Sequence, residues 1–218
     1  MKIKAVIFDM DGLMIDTEKL LYRYWIQAAK ELGYKMTMEH VLQIRSLAAK
    51  YAAPKLKSML GEEFDYDKVR ERRRELMAEH VENYGIEKKK GLDELLDYLK
   101  EKKYPLAVAT ATDMERTQKY LTKIGKIDYF EKIICGSMVK NGKPEPDIYL
   151  LAAESLGLPP EECMALEDSP NGILAAYQAG CVPVMVPDLD LPDEETKKLL
   201  YAQVTDLSEV CKILEGAI

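Results

Sequence analysis

An apolar run, Ile3, Ala5, Val6, Ile7 and Phe8, stops abruptly at Asp9. No helical period fits it. A short run rich in β-branched residues and bounded by a turn signal reads as a strand buried on both faces, and such strands belong to parallel sheets. Met10, Asp11 and Gly12 follow, then a second apolar run that closes the stretch 2–16 at Asp16. In open parallel sheets, ligands gather at the carboxyl ends of the strands. Two acids at i and i+2 in that place repel each other unless a cation lies between them, and a hard divalent metal with oxygen ligands is the natural complement. Gly12 lets the chain turn sharply there. An ordinary strand-closing turn held by Asx-type hydrogen bonds would use the same residues. An EF-hand loop does not fit: with Asp9 as its first position, the required Gly at the sixth and Glu at the twelfth are both missing.

The remainder of the 218 residues changes texture once. From Thr17 to about Gly85 the period is helical. Leu20, Leu21, Tyr24, Trp25, Ala28, Ala29 and Leu32 recur at three and four, and Gly33 closes the helix. Thr37 reads as the N-cap of a second helix through Val41, Leu42 and Ile44. Residues 51–60 and 69–84 give a third and a fourth. On the fourth, Arg70, Arg72, Arg73 and Arg74 alternate with Glu71, Glu75 and Glu79, which reads as a solvated face laced with i,i+4 pairs. From Gly91 onward strands and helices alternate. Strands are expected at 104–110, 132–135, 163–166 and 182–186, and helices at 91–103, 114–124, 146–156 and 170–179. That order predicts an α/β fold with a Rossmann-like parallel sheet covered on both faces. The all-helical block is then an insertion, with residues 1–16 and 86–218 forming the core and 17–85 a cap beside Asp9 and Asp11, where a lid would have to be. Residues 188–195 read as an acidic surface loop.

Composition narrows the function classes. A hydrophobic fraction of 47% and a charged fraction of 32% describe a globular chain with one good core and a small appendage. A formal charge of −7 argues against a general nucleic-acid binder, and it means that an anionic substrate needs a local positive site. No apolar run is long enough to span a bilayer, and the N-terminus lacks a signal-peptide pattern. A cytoplasmic protein without a membrane partner is expected. Cys135, Cys163, Cys181 and Cys211 are scattered, with no C-x-x-C pair, and read as free thiols in a reducing compartment. His40 and His80 have no metal-ligand spacing to a cysteine, so zinc is not expected.

Three later segments could complete a site around Asp9. Thr110, Ala111 and Thr112 end one strand and open a helix. A hydroxyl with unpaired backbone N–H groups at a helix N-terminus makes an anion site, although Thr112 or Asp113 would equally serve as a plain N-cap. Lys143 lies in Gly-Lys-Pro-Glu-Pro, where two prolines stiffen the backbone ahead of a helix starting near Pro146. Most lysines are solvated charges, but one held in a stiff loop at the strand-end face is less ordinary. Glu167, Asp168 and Ser169 follow an apolar strand and precede Pro170 and Gly172. Asp and Ser both suit an N-cap, yet a further acid at this sheet edge is also what a divalent site beside Asp9 and Asp11 would lack.

In this order, DMDG at 9–12, VATAT at 108–112, Lys143 in KPEPDIY and LEDSPNGILAA at 166–176 resemble the haloacid dehalogenase superfamily, and most of all its β-phosphoglucomutase and sugar-phosphate phosphatase branch. The resemblance covers nearly the whole core, and the helical insert looks like the small helical cap. It implies a Mg²⁺-dependent phosphatase acting on a small phosphorylated metabolite; a monomer with no nucleic-acid partner is expected. Asp9 would be the nucleophile and form an aspartyl-phosphate. Asp11 would be the general acid and base. Mg²⁺ would be held by Asp9, Asp168 and the Asp11 backbone carbonyl, with Glu167 close by. Thr110 and the Ala111 N–H would hold phosphoryl oxygens, and Lys143 would offset charge. Asp11 argues against the dehalogenase and phosphonate-cleaving branches. The mutase's cap-hinge histidine is matched by Leu21, which favours hydrolysis over phosphoryl transfer between sugars. Arg45 and Lys50 are the only obvious cap residues that could reach a substrate, the alternative being ordinary exposed charges. A phospho-accepting receiver module is the reading from another class, but receivers carry the acid pair on the first strand, the acceptor on the third, and no insert.

Overall fold

A computed structural model of the chain describes residues 2–44, 49–188 and 191–216. The chain forms two compact units. One comprises Met1–Asp16 and Ile86–Ile218, the other Thr17–Gly85.

The first unit is built on a parallel sheet. Its strands are β1 (Ala5–Phe8), β2 (Leu106–Thr110), β3 (Lys132–Cys135), β4 (Cys163–Glu167), β5 (Val182–Met185) and β6 (Ala202–Gln203). They lie in the order β3-β2-β1-β4-β5-β6, and every pairing is parallel. β1 is central, with β2 on one side and β4 on the other, so the strand order reverses beside it. All four residues of β1 and all five of β2 and of β4 are buried, as expected of strands covered on both faces. Small side chains dominate one face: Ala5, Ala107, Ala109 and Ala165 meet Ala152, Ala153, Ala175 and Ala176 in one cluster. Those alanines let α7 (Asp147–Ser155) and α8 (Pro170–Gln178) approach the sheet closely. Helices α5 (Leu92–Glu101) and α6 (Met114–Lys123) complete the alternation.

The sequence does not announce β6, which has only two residues and so no period to read. The acidic segment 188–195 is not all loop either. Asp193 accepts from the Thr196 N–H at 2.8 Å and starts α9 (Glu194–Lys197), and Asp188 pairs with Lys89 at 2.6 Å. A last helix, α10 (Val210–Leu214), follows a 3₁₀ turn.

The second unit consists of α1 (Glu18–Glu31), α2 (Met38–Ile44), α3 (Ala49–Leu60) and α4 (Tyr66–Tyr84). The helical period foretold its core: Trp25, Ala28 and Ala29 of α1 pack with Val69, Leu76 and Met77 of α4. The arginine run of α4 is not a uniformly solvated face. Arg72 bridges to Glu31 of α1 at 2.6 Å and to Glu75 at 2.8 Å. Arg73 is buried, with its guanidinium 5.2 Å from the Trp25 ring centre. An i,i+4 reading of charges on one helix cannot foresee that a neighbouring helix supplies an aromatic face. Arg70 and Arg73 line a cavity of about 180 Å³ inside this unit, together with Leu21, Trp25 and Tyr66. Both histidines have local roles: His40 accepts from the Thr37 N–H at 3.0 Å, and the His80 ring bonds the Tyr24 hydroxyl at 2.8 Å. No helix among the described residues is long and apolar enough to cross a membrane.

Candidate active site

Strand alternation decides which side chains meet. Successive residues point to opposite faces, so Asp9 follows Ile7, and Glu167 follows Ala165, onto the face covered by α7. The register pairs Ile7 with both Ala107 and Ala165. The Asp9 N–H still reaches the Leu166 carbonyl at 3.0 Å beyond the end of β1. Asp9 therefore leaves its strand beside Glu167. The chain then turns through Gly12, whose φ of +86° favours glycine. A Cβ there would stand 2.3 Å from Asp168 Oδ2, so the turn backbone lies directly against that carboxylate.

Lys143 ties the group together. Its Nζ donates to Asp9 Oδ1 at 2.5 Å, Glu167 Oε1 at 2.6 Å and the Ala109 carbonyl at 2.9 Å. All three ammonium hydrogens are thereby used, in a site where its side chain is 11% exposed. Glu167 is fully buried and accepts further from the Tyr149 hydroxyl at 2.6 Å and from Ser169 Oγ at 3.2 Å. Ser169 also caps α8, its Oγ accepting from the Gly172 N–H at 3.2 Å. Capping and site construction are not alternatives here, since Ser169 does the first and leaves Asp168 to face Asp9.

Carboxylate oxygens of Asp9, Glu167 and Asp168 all lie within 4.8 Å of one another. Burial pushes the Asp9 carboxyl up to about 8; Lys143 opposes the rise, while Glu167 and Asp11 add to it. Burial likewise opposes the charge of Lys143, but Asp9 and Glu167 outweigh it and hold the ammonium above its ordinary value. One lysine thus faces several acids in a low-dielectric pocket. Buried hard oxygen donors at this spacing fit a divalent cation of the Mg²⁺ class, which would restore the anionic form of Asp9.

The Asp11 side chain is not in that trio. Asp11 has left the strand, so alternation no longer aims it, and its Oδ2 accepts from Thr112 Oγ1 at 2.7 Å and Thr110 Oγ1 at 3.4 Å. The Asp11 carboxylate thus lies with the two threonines, and its backbone carbonyl stays the ligand expected from the resemblance. Thr110 is buried at the end of β2, and its Oγ1 accepts from the Thr112 N–H at 3.1 Å. The helix expected from 114 begins there, and of the two possible caps, Thr112 and Asp113, the second is used. α6 starts at Met114, capped by Asp113, whose Oδ1 accepts from the Arg116 N–H at 3.0 Å. Thr110 ends β2, and Ala111 lies in the short loop between that strand and α6. Arg45 lies outside the described residues, as does the side chain of Lys50.

Three contributors escaped the sequence reading. The motifs do not say that Thr112 bonds Asp11, that Ser169 bonds Glu167 as well as capping a helix, or that Tyr149, within KPEPDIY, reaches Glu167. The one available signal was a tyrosine hydroxyl at a position whose neighbours Ile148, Ala152 and Ala153 are all apolar, since a buried hydroxyl needs a partner.

The pattern of the haloacid dehalogenase-like hydrolases matches residues 6–186. Over 177 residues the chain is 33% identical to the phosphorylated carbohydrates phosphatase of Thermotoga maritima, which spans 81% of this chain and 82% of that protein. Over 186 residues it is 33% identical to hexitol phosphatase A of Escherichia coli, spanning 85% and 84%. The crystal structure of CbbY from Rhodobacter sphaeroides in complex with phosphate superposes with a TM-score of 0.81 at 27% identity, over 95% of this chain and 96% of that one. The matched span runs from inside β1 past β5 and takes in every residue placed around Asp9, so the chain belongs to the haloacid dehalogenase-like hydrolase family.

Proposed function

We propose that the chain is a Mg²⁺-dependent phosphatase that hydrolyses a small phosphorylated metabolite, a sugar phosphate, through an aspartyl-phosphate on Asp9. The observation that carries this is the Asp9–Glu167–Asp168 trio with Lys143 bonded to Asp9 Oδ1. The phosphatases among its relatives support the substrate class.

An Asp9 carboxylate oxygen attacks phosphorus, the ester oxygen departs with a proton from Asp11, and phosphate is left on Asp9. Asp11 then takes a proton from water as that water attacks phosphorus. Inorganic phosphate leaves and Asp9 is restored. Thr112 suits Asp11 to this work, because its hydroxyl bond fixes one carboxylate oxygen. Lys143 holds Asp9 in place and offsets charge as one anion approaches another. The Thr110 hydroxyl and the Ala111 N–H receive phosphoryl oxygens. Asp9, Asp168 and the Asp11 carbonyl hold Mg²⁺, which when bound supplies positive charge to the phosphoryl oxygens. The helical insert selects the substrate.

A mutase is the second reading. It must keep its aspartyl-phosphate from water until a sugar hydroxyl takes the phosphoryl group, and Leu21, which lines the cavity of the helical unit, can neither give nor accept a proton. Phosphate release should therefore dominate. The test is a panel of phosphorylated metabolites assayed with Mg²⁺ and with chelator, followed by rapid acid quench of a single turnover and mass analysis of the Asp9 peptide. Chelator-sensitive phosphate release with a transient phosphoryl adduct on Asp9 is expected. An adduct on another residue, or conversion of β-glucose 1-phosphate with a trace of the 1,6-bisphosphate into glucose 6-phosphate faster than into free phosphate, would refute it.

A further inference from the structure

We infer that Thr112 is a positioning residue that decides which oxygen of Asp11 carries the proton given to the departing ester oxygen. The inference rests on the proposed reading of Asp11 as the general acid.

Thr112 stands in the loop between β2 and α6, 101 residues from Asp11. The parallel register sets Val108 beside Phe8, so the chain leaving β2 runs alongside the chain leaving β1. The cap of α6 falls to Asp113, which leaves the Thr112 hydroxyl to bond away from the helix. It donates to Asp11 Oδ2 at 2.7 Å. The Thr110 hydroxyl approaches the same oxygen at 3.4 Å, and its own oxygen accepts from the Thr112 N–H at 3.1 Å. The two approaches differ in strength. At 2.7 Å the Thr112 bond has the usual length for a hydroxyl donor, whereas 3.4 Å is a weak contact. Thr110 can therefore turn its hydroxyl to a phosphoryl oxygen at little cost to Asp11, while Thr112 stays in place.

Of the two oxygens of a protonated carboxyl, the one without the hydrogen is the better acceptor. The bond from Thr112 to Oδ2 thus directs the hydrogen of Asp11 to Oδ1. The terminal torsion of an aspartate is broad and two-fold, so without that bond the hydrogen would be divided between two orientations of the carboxyl. Only one of them suits transfer to the ester, and holding it in advance removes an entropic part of the barrier. Such a device matters in proportion to how basic the departing oxygen is.

The test is Thr112→Val, which keeps the branched shape and removes the hydroxyl, with Thr112→Ser as the variant that returns it. kcat/KM is measured with saturating Mg²⁺ for phenyl phosphate, whose departing oxygen needs a proton, and for dinitrophenyl phosphate, whose departing oxygen does not. kcat/KM reports the transfer to Asp9 and leaves out the later attack of water, which is the same for both esters. In Thr112→Val the ratio of kcat/KM for the dinitrophenyl ester to that for the phenyl ester should rise about tenfold, a part of the roughly 10²–10⁴ that a positioned general acid supplies. Thr112→Ser should bring the ratio back to that of wild type. An unchanged ratio in Thr112→Val would overturn the inference, whether both rates held or both fell together, the second being the mark of a packing role. So would a Thr112→Ser variant that behaved like Thr112→Val, because the methyl group and not the hydroxyl would then matter. A wild type that released phosphate from neither ester would instead overturn the proposed function, and this inference with it.

Discussion

Replacing Gly172 by alanine sets two effects against each other, and their magnitudes decide the outcome. Gly172 lies in the first turn of α8. Helix propensity and the loss of unfolded-state freedom predict a gain of about 0.4–1 kcal/mol for Gly→Ala there. The structure predicts a larger loss. An ideal Cβ would stand 1.9 Å from Glu167 Cδ and 2.0 and 2.1 Å from its two oxygens. That carboxylate cannot swing into solvent, because it is 0% exposed. Overpacking a close-fitted interior costs about 1–3 kcal/mol. Moving Glu167 also breaks at least one charge-assisted bond, to Lys143, worth about 1.5–3 kcal/mol. The net effect is a destabilisation of about 2–5 kcal/mol, or a melting temperature lower by roughly 5–15 °C for a chain of this size. Calorimetric melting of wild type and Gly172→Ala, with phosphate release measured in parallel, tests the argument. A variant that melted at or above wild type with full activity would show that Glu167 has room to move, and the account of Lys143 and Tyr149 would fall with it.

Asp168→Asn keeps the shape that packs against Gly12 but removes a ligand charge; Mg²⁺ affinity should fall about tenfold or more in calorimetry while circular dichroism stays unchanged, and equal affinities would count against the trio as a metal site. Asp9→Asn should act through pH in the metal-free protein. Because the folded-state value of Asp9 is raised to about 8, the folded chain binds the extra proton between about pH 4 and 8, and the stability this contributes drains away as pH rises through that window. The amide should therefore raise the melting temperature over wild type at pH 8 far more than at pH 5, and an equal gain at both would contradict the raised value.

Much of the fold was legible in local pattern, because burial on both faces leaves a mark that needs no partner to be seen. A run such as Ala5–Phe8 can only be a covered strand, and the alternation after Gly91 can only build a parallel sheet. The ends of those strands told where chemistry would gather: Asp9, Thr110 and Glu167 each stand at or just beyond the carboxyl end of a strand. The joint order of the motifs, not any one of them, pointed to the family.

What local pattern could not settle was direction and partnership. Asp9 and Asp11 read alike, yet one stays in step with its strand while the other, past the turn, aligns with Thr112. Arg73 reads like Arg72, but α1 offers one of them a carboxylate and the other an indole face. Tyr149 reads as core until the register of β4 brings Glu167 to its hydroxyl. In each case the deciding neighbour comes from a different element, 18 residues away for Tyr149 and Glu167 and 101 for Asp11 and Thr112. A sequence written in periods of two and 3.6 determines which face a side chain takes, and only the assembled tertiary structure determines what waits on the other side.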